Sequence, residues 1–250
     1  MPAFAFALRN LRRDLRSGEI AVLVLALLVA VASLTAVGFF TSRIGRAVEQ
    51  QAGSVLAADL RLQSGREIDP AYDALARARG LEVARMATMP SVVFHGEASS
   101  LVALRAVGEG YPLRGRLKVA ERPFGPAVET RGIPAPGQAW ADGRLLAKLG
   151  APVGATLQVG AATVTVTRVL DYRPDQGAGF ADLSATLLIN LADLPATQLV
   201  QPGSRVTRIL LVAGDPADVE ALRTKYKARK QPYERLQSVA DASPQIRASS

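Results

Sequence analysis

The stretch Ile20 to Phe40, IAVLVLALLVAVASLTAVGFF, limits this chain more than any other feature: it is 21 residues long and carries no charge. A helix rises ~1.5 Å per residue, so the run reaches roughly 30 Å, the hydrocarbon thickness of a bilayer. A helix apolar on every side is out of place on a soluble surface, and the run is expected to be a transmembrane helix. A cleaved signal peptide competes with this reading, because Ala30-Val31-Ala32 fits a small-x-small cleavage rule. The apolar run nevertheless continues beyond that point through Leu34, Val37, Phe39 and Phe40. The segment before it is also patterned. Phe4, Leu8, Leu11 and Leu15 fall on one helical face, and Arg9, Arg12, Arg13 and Arg16 fill the face beside it. An apolar stripe beside arginines suits the headgroup boundary of an anionic leaflet. Four arginines before the span, against Arg43 and Arg46 after it, place the N-terminus in the cytoplasm. The bulk of the chain is then expected outside, which is the periplasm if the cell is Gram-negative.

Several classes of chemistry are excluded by composition. The chain has no cysteine, hence no disulfide framework, no thiol nucleophile and no cysteine zinc site. Its single histidine, His95, rules out a histidine metal cluster. The formal charge of +8 comes from 25 Arg and 5 Lys against 22 acids, spread along the whole chain. One dense group, Lys225, Lys227, Arg229 and Lys230, falls on an expected helix with Tyr226 and reads as a solvated helix end. No RNP-like aromatic motif or zinc finger accompanies it, so no nucleic-acid partner is expected.

Beyond the span, Ile44, Val48, Ala52 and Val55 continue a helical stripe and suggest a stalk, weakened by Gly45 and Gly53. A strand is expected at Leu60 to Gln63. Asp69-Pro70 then pairs an N-cap with a proline in the first turn, and Gly80 ends that helix. Strands follow at Leu81 to Thr88, Ser91 to His95 and Ser99 to Val107. A similar unit recurs near the end: a strand at Arg205 to Val212, and a helix opened by Asp215-Pro216 with Val219, Leu222 and Tyr226 as its buried stripe. A final strand lies near Glu234 to Val239. Two strand–helix–strand units of this kind commonly share one sheet with helices on one face. Between them, Ala141 to Leu149 reads as a helix stopped by Gly150. Leu157 to Val159 and Thr163 to Leu170 read as a hairpin around Gly160-Ala161. Leu187 to Asn190 is another strand.

No motif carries chemistry. There is no G-x-x-x-x-G-K-[ST] run for nucleotide phosphates, and Gly177-Ala178-Gly179 is only a flexible stretch. His95 sits in an alternating strand and reads as a strand histidine, not a triad member. Asp171, Asp175 and Asp182 surround a Gly-rich turn, but their spacing does not match a calcium loop. Trp140, the one tryptophan, reads as core. No catalytic, cofactor-binding or metal-binding residue is expected, and neither is an enzyme activity.

Taken in order along the chain, a set of short segments resembles a known family. They are Phe6-Ala7-Leu8-Arg9-Asn10-Leu11, Gly38-Phe39-Phe40-Thr41, Ala57-Ala58-Asp59-Leu60, Ala106-Val107 with Gly110-Tyr111-Pro112-Leu113-Arg114-Gly115, Pro174-Asp175 followed by Gly177, Gly179 and Phe180, and Gln201-Pro202-Gly203-Ser204-Arg205. Together they resemble the N-terminal part of ABC transporter permeases of the MacB/FtsX/LolC type, within the YbbP-like branch. The resemblance implies an α+β fold: one N-terminal transmembrane helix, then a periplasmic domain of split βαβ halves with an inserted β-rich subdomain. The expected organisation is an interfacial amphipathic helix at 1–19, the span at 20–40, a stalk helix at 41–57, and an α/β part at 58–110 and 204–240. The β-rich part covers 111–203, and 241–250 leads into a further membrane helix. The resemblance also implies a cytoplasmic ATPase subunit, a second permease copy or pseudo-symmetric half, and an inner-membrane location. The implied function couples ATP hydrolysis to motion of the periplasmic domain, for export or extraction of a lipid, lipoprotein or other hydrophobic substrate. The alternative is a membrane-anchored extracytoplasmic binding or scaffold protein with no ATPase partner.

Overall fold

The computed structural model describes residues 22, 24–33, 35, 56–176 and 184–239. The interfacial helix expected at 1–19, nearly all of the stalk expected at 41–57 and the segment 241–250 lie outside the described residues. So do several positions of the 20–40 run; those described, 22, 24–33 and 35, are helical. Among the described residues no helix is long and apolar enough to cross a membrane.

In the compact unit Glu49–Ser250 eleven described strands join one sheet: β1 Leu60–Ser64, β2 Glu82–His95, β3 Ala98–Val107, β4 Leu117–Ala120, β5 Val128–Thr130, β6 Gln138–Asp142, β7 Thr156–Val159, β8 Ala162–Tyr172, β9 Ala185–Asn190, β10 Thr207–Ala213 and β11 Glu234–Ser238. Three helices accompany them: α1 Pro70–Arg77, α2 Gly143–Leu149 and α3 Pro216–Arg229.

The first half is a four-stranded sheet in the order β11-β1-β10-β2, with every neighbour antiparallel. The connections β1-α1-β2 and β10-α3-β11 each skip one strand, so the two units interlock as a pair of split βαβ motifs. Both helices begin as the sequence predicts. The carboxylates of Asp69 and Asp215 accept from the amides of Ala71 and Ala217, and Pro70 and Pro216 open the first turns. They pack on one face of the sheet, where Tyr72 and Tyr226 meet edge to face at 4.8 Å. The Tyr72 hydroxyl donates to Glu234 and the Tyr226 hydroxyl to the Tyr72 carbonyl, so both buried phenols are satisfied. Burial comes first in pushing both hydroxyls far above their ordinary range, with nearby carboxylates adding to it.

The opposite face is covered too. Along β10, Leu210 and Val212 point to the helices, while Ile209 and Leu211 pack with Tyr111, Leu117, Val119 and Trp140. A strand buried on both faces has no use for polar alternation, which is why Ile209 to Ala213 is uniformly apolar.

The second half is a small closed barrel. Strands β2, β3, β9, β6, β8 and β7 pair in a ring that returns to β2. Val93, Leu104, Leu157, Val164, Val166, Leu187 and Ile189 fill it, with α2 packed alongside. The long hairpin β2–β3 therefore belongs to both halves.

Three expectations change. Leu81 to Thr88 and Ser91 to His95 are a single strand, unbroken by Pro90. Strand β10 leaves β2 at Thr88 and β7 joins it at Val93, so Pro90 falls where only β3 is a neighbour. A proline is tolerated on such an open edge. The helix expected from Ala141 starts at Gly143, because Ala141 and Asp142 pair in β6 and the Asp142 carboxylate caps the helix through the Arg144 amide. Strands β4, β5 and β6 are not signalled in the sequence; they lie in the Pro- and Gly-rich stretch and are only three to five residues long.

The hairpin β7–β8 turns at Gly160-Ala161 as expected, with Gly160 at φ +59°. A Cβ there would sit 2.2 Å from the Thr197 carbonyl oxygen, the acceptor of the Ala161 amide. At Gly137, φ is +77° but nothing lies within 4 Å. Gly160→Ala should therefore cost about 3 kcal/mol or more, and Gly137→Ala only about 1 kcal/mol. Urea denaturation of the two variants beside the wild type checks this.

Candidate functional site

Three of the segments that carry the family resemblance, 57–60, 106–115 and 174–175, lie far apart in the chain, yet they meet at two polar nodes flanking the core beneath Tyr111. The first node is Asp59. Its Oδ1 accepts from Arg114 Nε at 2.9 Å and its Oδ2 from Arg114 Nη2 at 2.6 Å. The Gly214 amide also donates to Oδ2 at 3.0 Å, while Arg114 Nη2 donates to the Gly214 carbonyl at 3.3 Å. The backbone repeats the tie. The Arg114 amide donates to Ala57 O, the Asp59 amide to Val212 O, and the Val239 amide to Asp59 O. Ala57 is fully buried with φ +57°, a left-handed conformation that costs a non-glycine residue about 1 kcal/mol. The corner thus holds the chain's entrance into the sheet, the loop after β3, the β10–α3 turn and the end of β11 in one place.

The second node is Asp175. Its Oδ2 accepts from Arg105 Nη1 at 2.5 Å and its Oδ1 from the Tyr111 hydroxyl at 2.7 Å and from Arg173 Nη1 at 3.2 Å. Arg173 Nη1 also donates to the Asp175 carbonyl at 3.0 Å. Both side chains of the Arg173–Asp175 pair are buried. Burial pushes the Asp175 carboxyl up, but Arg105, Arg173, the Tyr111 hydroxyl and Arg61 together outweigh it and hold the group below its ordinary range. Burial, then the neighbouring Asp175 charge, drives the Tyr111 hydroxyl well above its usual value. Burial likewise lowers Arg61, with Asp175 pulling the other way. A buried carboxylate that takes charge-assisted bonds from three side chains is a structural clamp, not an acid–base group.

Beside this clamp lies a cavity of about 230 Å³, lined by Asp142, Arg144, Leu170, Asp171, Tyr172, Arg173, Gln176 and Thr186. Arg144 is already engaged by Asp142 at 2.7 Å. The three aspartates that surround the Gly-rich turn in the sequence part company here. Asp171 is exposed at the cavity wall, Asp175 is buried, and Asp182, like Gly177, Gly179 and Phe180, lies outside the described residues. Asp175 does lie in a turn, closed by the Gln176 amide on the Arg173 carbonyl, and from there its carboxylate also forms the clamp. Its only sequence signal was membership, with Tyr111, of the family-like segments; the role of Arg105 could not be seen. His95 ends β2 with Nδ1 3.2 Å from Thr156 O, a strand histidine as expected. Trp140 is buried, with Arg168 5.8 Å from its ring centroid.

Residues 20–229 match the MacB-like periplasmic core domain, and the chain belongs to that family. It is 34% identical over 195 residues to the uncharacterized ABC transporter permease YbbP of Escherichia coli strain K12. That alignment covers 78% of this chain but only 23% of the relative's length. Among solved structures, the extracellular domain of the noncanonic ABC-type transporter YknZ from Gram-positive bacteria matches with a TM-score of 0.48 at 12% identity, covering 72% of this chain and all of that one. The periplasmic region of MacB from Actinobacillus actinomycetemcomitans matches with a TM-score of 0.48 at 13% identity, covering 79% of this chain and 97% of that one.

Removing the Asp175 charge leaves Arg105 and Arg173 without their carboxylate. Asp175→Asn is therefore expected to cost about 3–5 kcal/mol, against about 1 kcal/mol for Tyr111→Phe. The folded-state value of Asp175 lies below the unfolded one. Its contribution is thus complete above about pH 5 and is lost as pH falls below about 4 and on through the folded value. Denaturation midpoints between pH 3 and 7 should show this loss in the wild type and a smaller one in Asp175→Asn.

Proposed function

We propose that this chain is the membrane-anchored, periplasmic arm of an ABC permease, in which the Ile20–Phe40 helix crosses the inner membrane with the N-terminus inside. Cytoplasmic ATP hydrolysis by a partner subunit moves the periplasmic domain, paired with a second permease copy or pseudo-symmetric half, to export or extract a hydrophobic substrate. The α/β part at 58–110 and 204–240 would receive the motion, and the β-rich part at 111–203 would be carried by it.

The observation that carries the reading is the Asp59 corner. Where the chain enters the sheet and where β11 ends, the backbone is tied by the Val239 amide to Asp59 O, and Arg114 braces the same residue with a bidentate pair. A pull at either end of the domain then acts on one rigid corner. The membrane assignment is supported by the helical residues Val22, Leu25, Leu27 and Leu28, all more than 60% exposed. Large apolar side chains bared in this way call for a lipid environment.

Lysine cannot reproduce the planar fork of arginine. In the assembled transporter, Arg114→Lys is expected to keep ATPase association and membrane insertion but to abolish the ATP-dependent change in spin-label distance between paired periplasmic domains. A wild-type distance change in that variant would overturn the coupling role of the corner.

A further inference from the structure

The basic group Lys225 to Lys230 takes no part in either polar node, and the fold places it among cations that are remote in sequence. Strand β1 runs from the corner at Leu60 to Ser64, about 13 Å away at the strand rise. At that far end Ser64 pairs with both Arg208 and Glu234, so the start of β10, the start of β11, the end of α3 and the loop after β1 share one pole of the four-stranded half. The Arg66 guanidinium lies 4.7 Å above the ring centroid of Tyr233, itself 47% exposed.

The carboxylates at this pole are already engaged. Glu67 pairs with Arg208 at 3.0 Å and Asp69 with Arg229 at 2.8 Å. Glu234 is buried and accepts from the Tyr72 hydroxyl and the Gln231 amide. Arg66, Lys227, Lys230 and Arg235 therefore face outward with no carboxylate in ion-pair range among the described residues; Lys230 only reaches the Glu234 carbonyl.

We infer that this pole is a docking surface for a soluble protein partner that presents a carboxylate-rich face. Two observations favour a protein over a bilayer. Tyr233 is the one large apolar side chain exposed at this pole among the described residues, and a single ring does not make the broad apolar face of an interfacial anchor. A rigid arginine–tyrosine stack is also the kind of anchor that protein interfaces use. The pole lies at the opposite end of the strands from the corner where Asp59 enters and Val239 leaves the sheet.

The test uses the full-length chain in detergent with fluorescein-labelled poly-L-glutamate as an acidic polypeptide probe, read by anisotropy. The triple variant Arg66→Glu, Lys230→Glu, Arg235→Glu is expected to weaken binding about tenfold or more, and the matching glutamine triple to weaken it less. A control triple with the same charge change elsewhere, Arg122→Glu, Arg131→Glu, Lys148→Glu, should leave it within about twofold. Raising ionic strength from about 0.05 M to about 0.3 M should weaken wild-type binding and flatten the difference. Equal weakening by both glutamate triples would reduce the pole to diffuse net charge and overturn the inference. So would absence of binding, or a pole triple that spares the probe while abolishing binding to vesicles of roughly three parts phosphatidylethanolamine to one of phosphatidylglycerol. None of these outcomes bears on the ATP-dependent distance change, so the coupling reading stands or falls separately.

Discussion

One carboxylate organises the corner where the chain enters the sheet of this MacB-like domain. Asp59 lies two residues after the left-handed Ala57 and precedes the first strand, and it accepts from Arg114 and Gly214 while its backbone joins β10 and the residue after β11. Isolated surface ion pairs contribute little, typically under about 1 kcal/mol. This one is different in kind, because its bidentate geometry is accompanied by five further backbone and side-chain bonds among four chain segments, and each bond limits the freedom of the others. The left-handed Ala57 is held in place by the Arg114 amide, which donates to its carbonyl.

The same logic accounts for three of the segments that carry the family resemblance. Ala57-Ala58-Asp59, Gly110 to Gly115 and Pro174-Asp175 share no local structure, but they supply the two ends of each polar tie. Gly110 takes φ +87° and Gly115 φ +77°, so the loop between them can fold back beside Ala57 and bury Tyr111 against Asp175. The Asp59 and Asp175 nodes bracket one apolar core, in which Tyr111, Leu117, Trp140 and Leu188 close the face of the sheet opposite the helices. Sheet, barrel and loop are thereby held as one piece.

What could be read from the sequence was what local chemistry dictates. Asp-Pro starts, the Gly150 stop at φ +59° and the Gly160-Ala161 turn are short-range signals, and each lies where its residues demand. Long-range arrangement was legible only where a pattern recurs, as in the two interlocked strand–helix–strand units. Pro90 reads as a break until the missing neighbour strand is known. Strands β4, β5 and β6 are invisible because they are short and their partners come from elsewhere in the chain. Asp175 reads as a turn residue because its clamp is built by Arg105 and Tyr111, about 65–70 residues earlier. The basic pole is a helix end in sequence, and a surface only once β1, β10 and β11 align.

If the Asp59 corner is one cooperative unit, amide hydrogen exchange at Arg114, Gly214 and Val239 shows it directly. Each of these amides donates to the corner, to Ala57 O, Asp59 Oδ2 and Asp59 O respectively. In the wild type they should open together with one common free energy, and in Asp59→Asn all three should lose protection by a similar factor. If Gly214 alone loses protection while Arg114 and Val239 exchange as before, the corner is a set of independent contacts and its central role is contradicted.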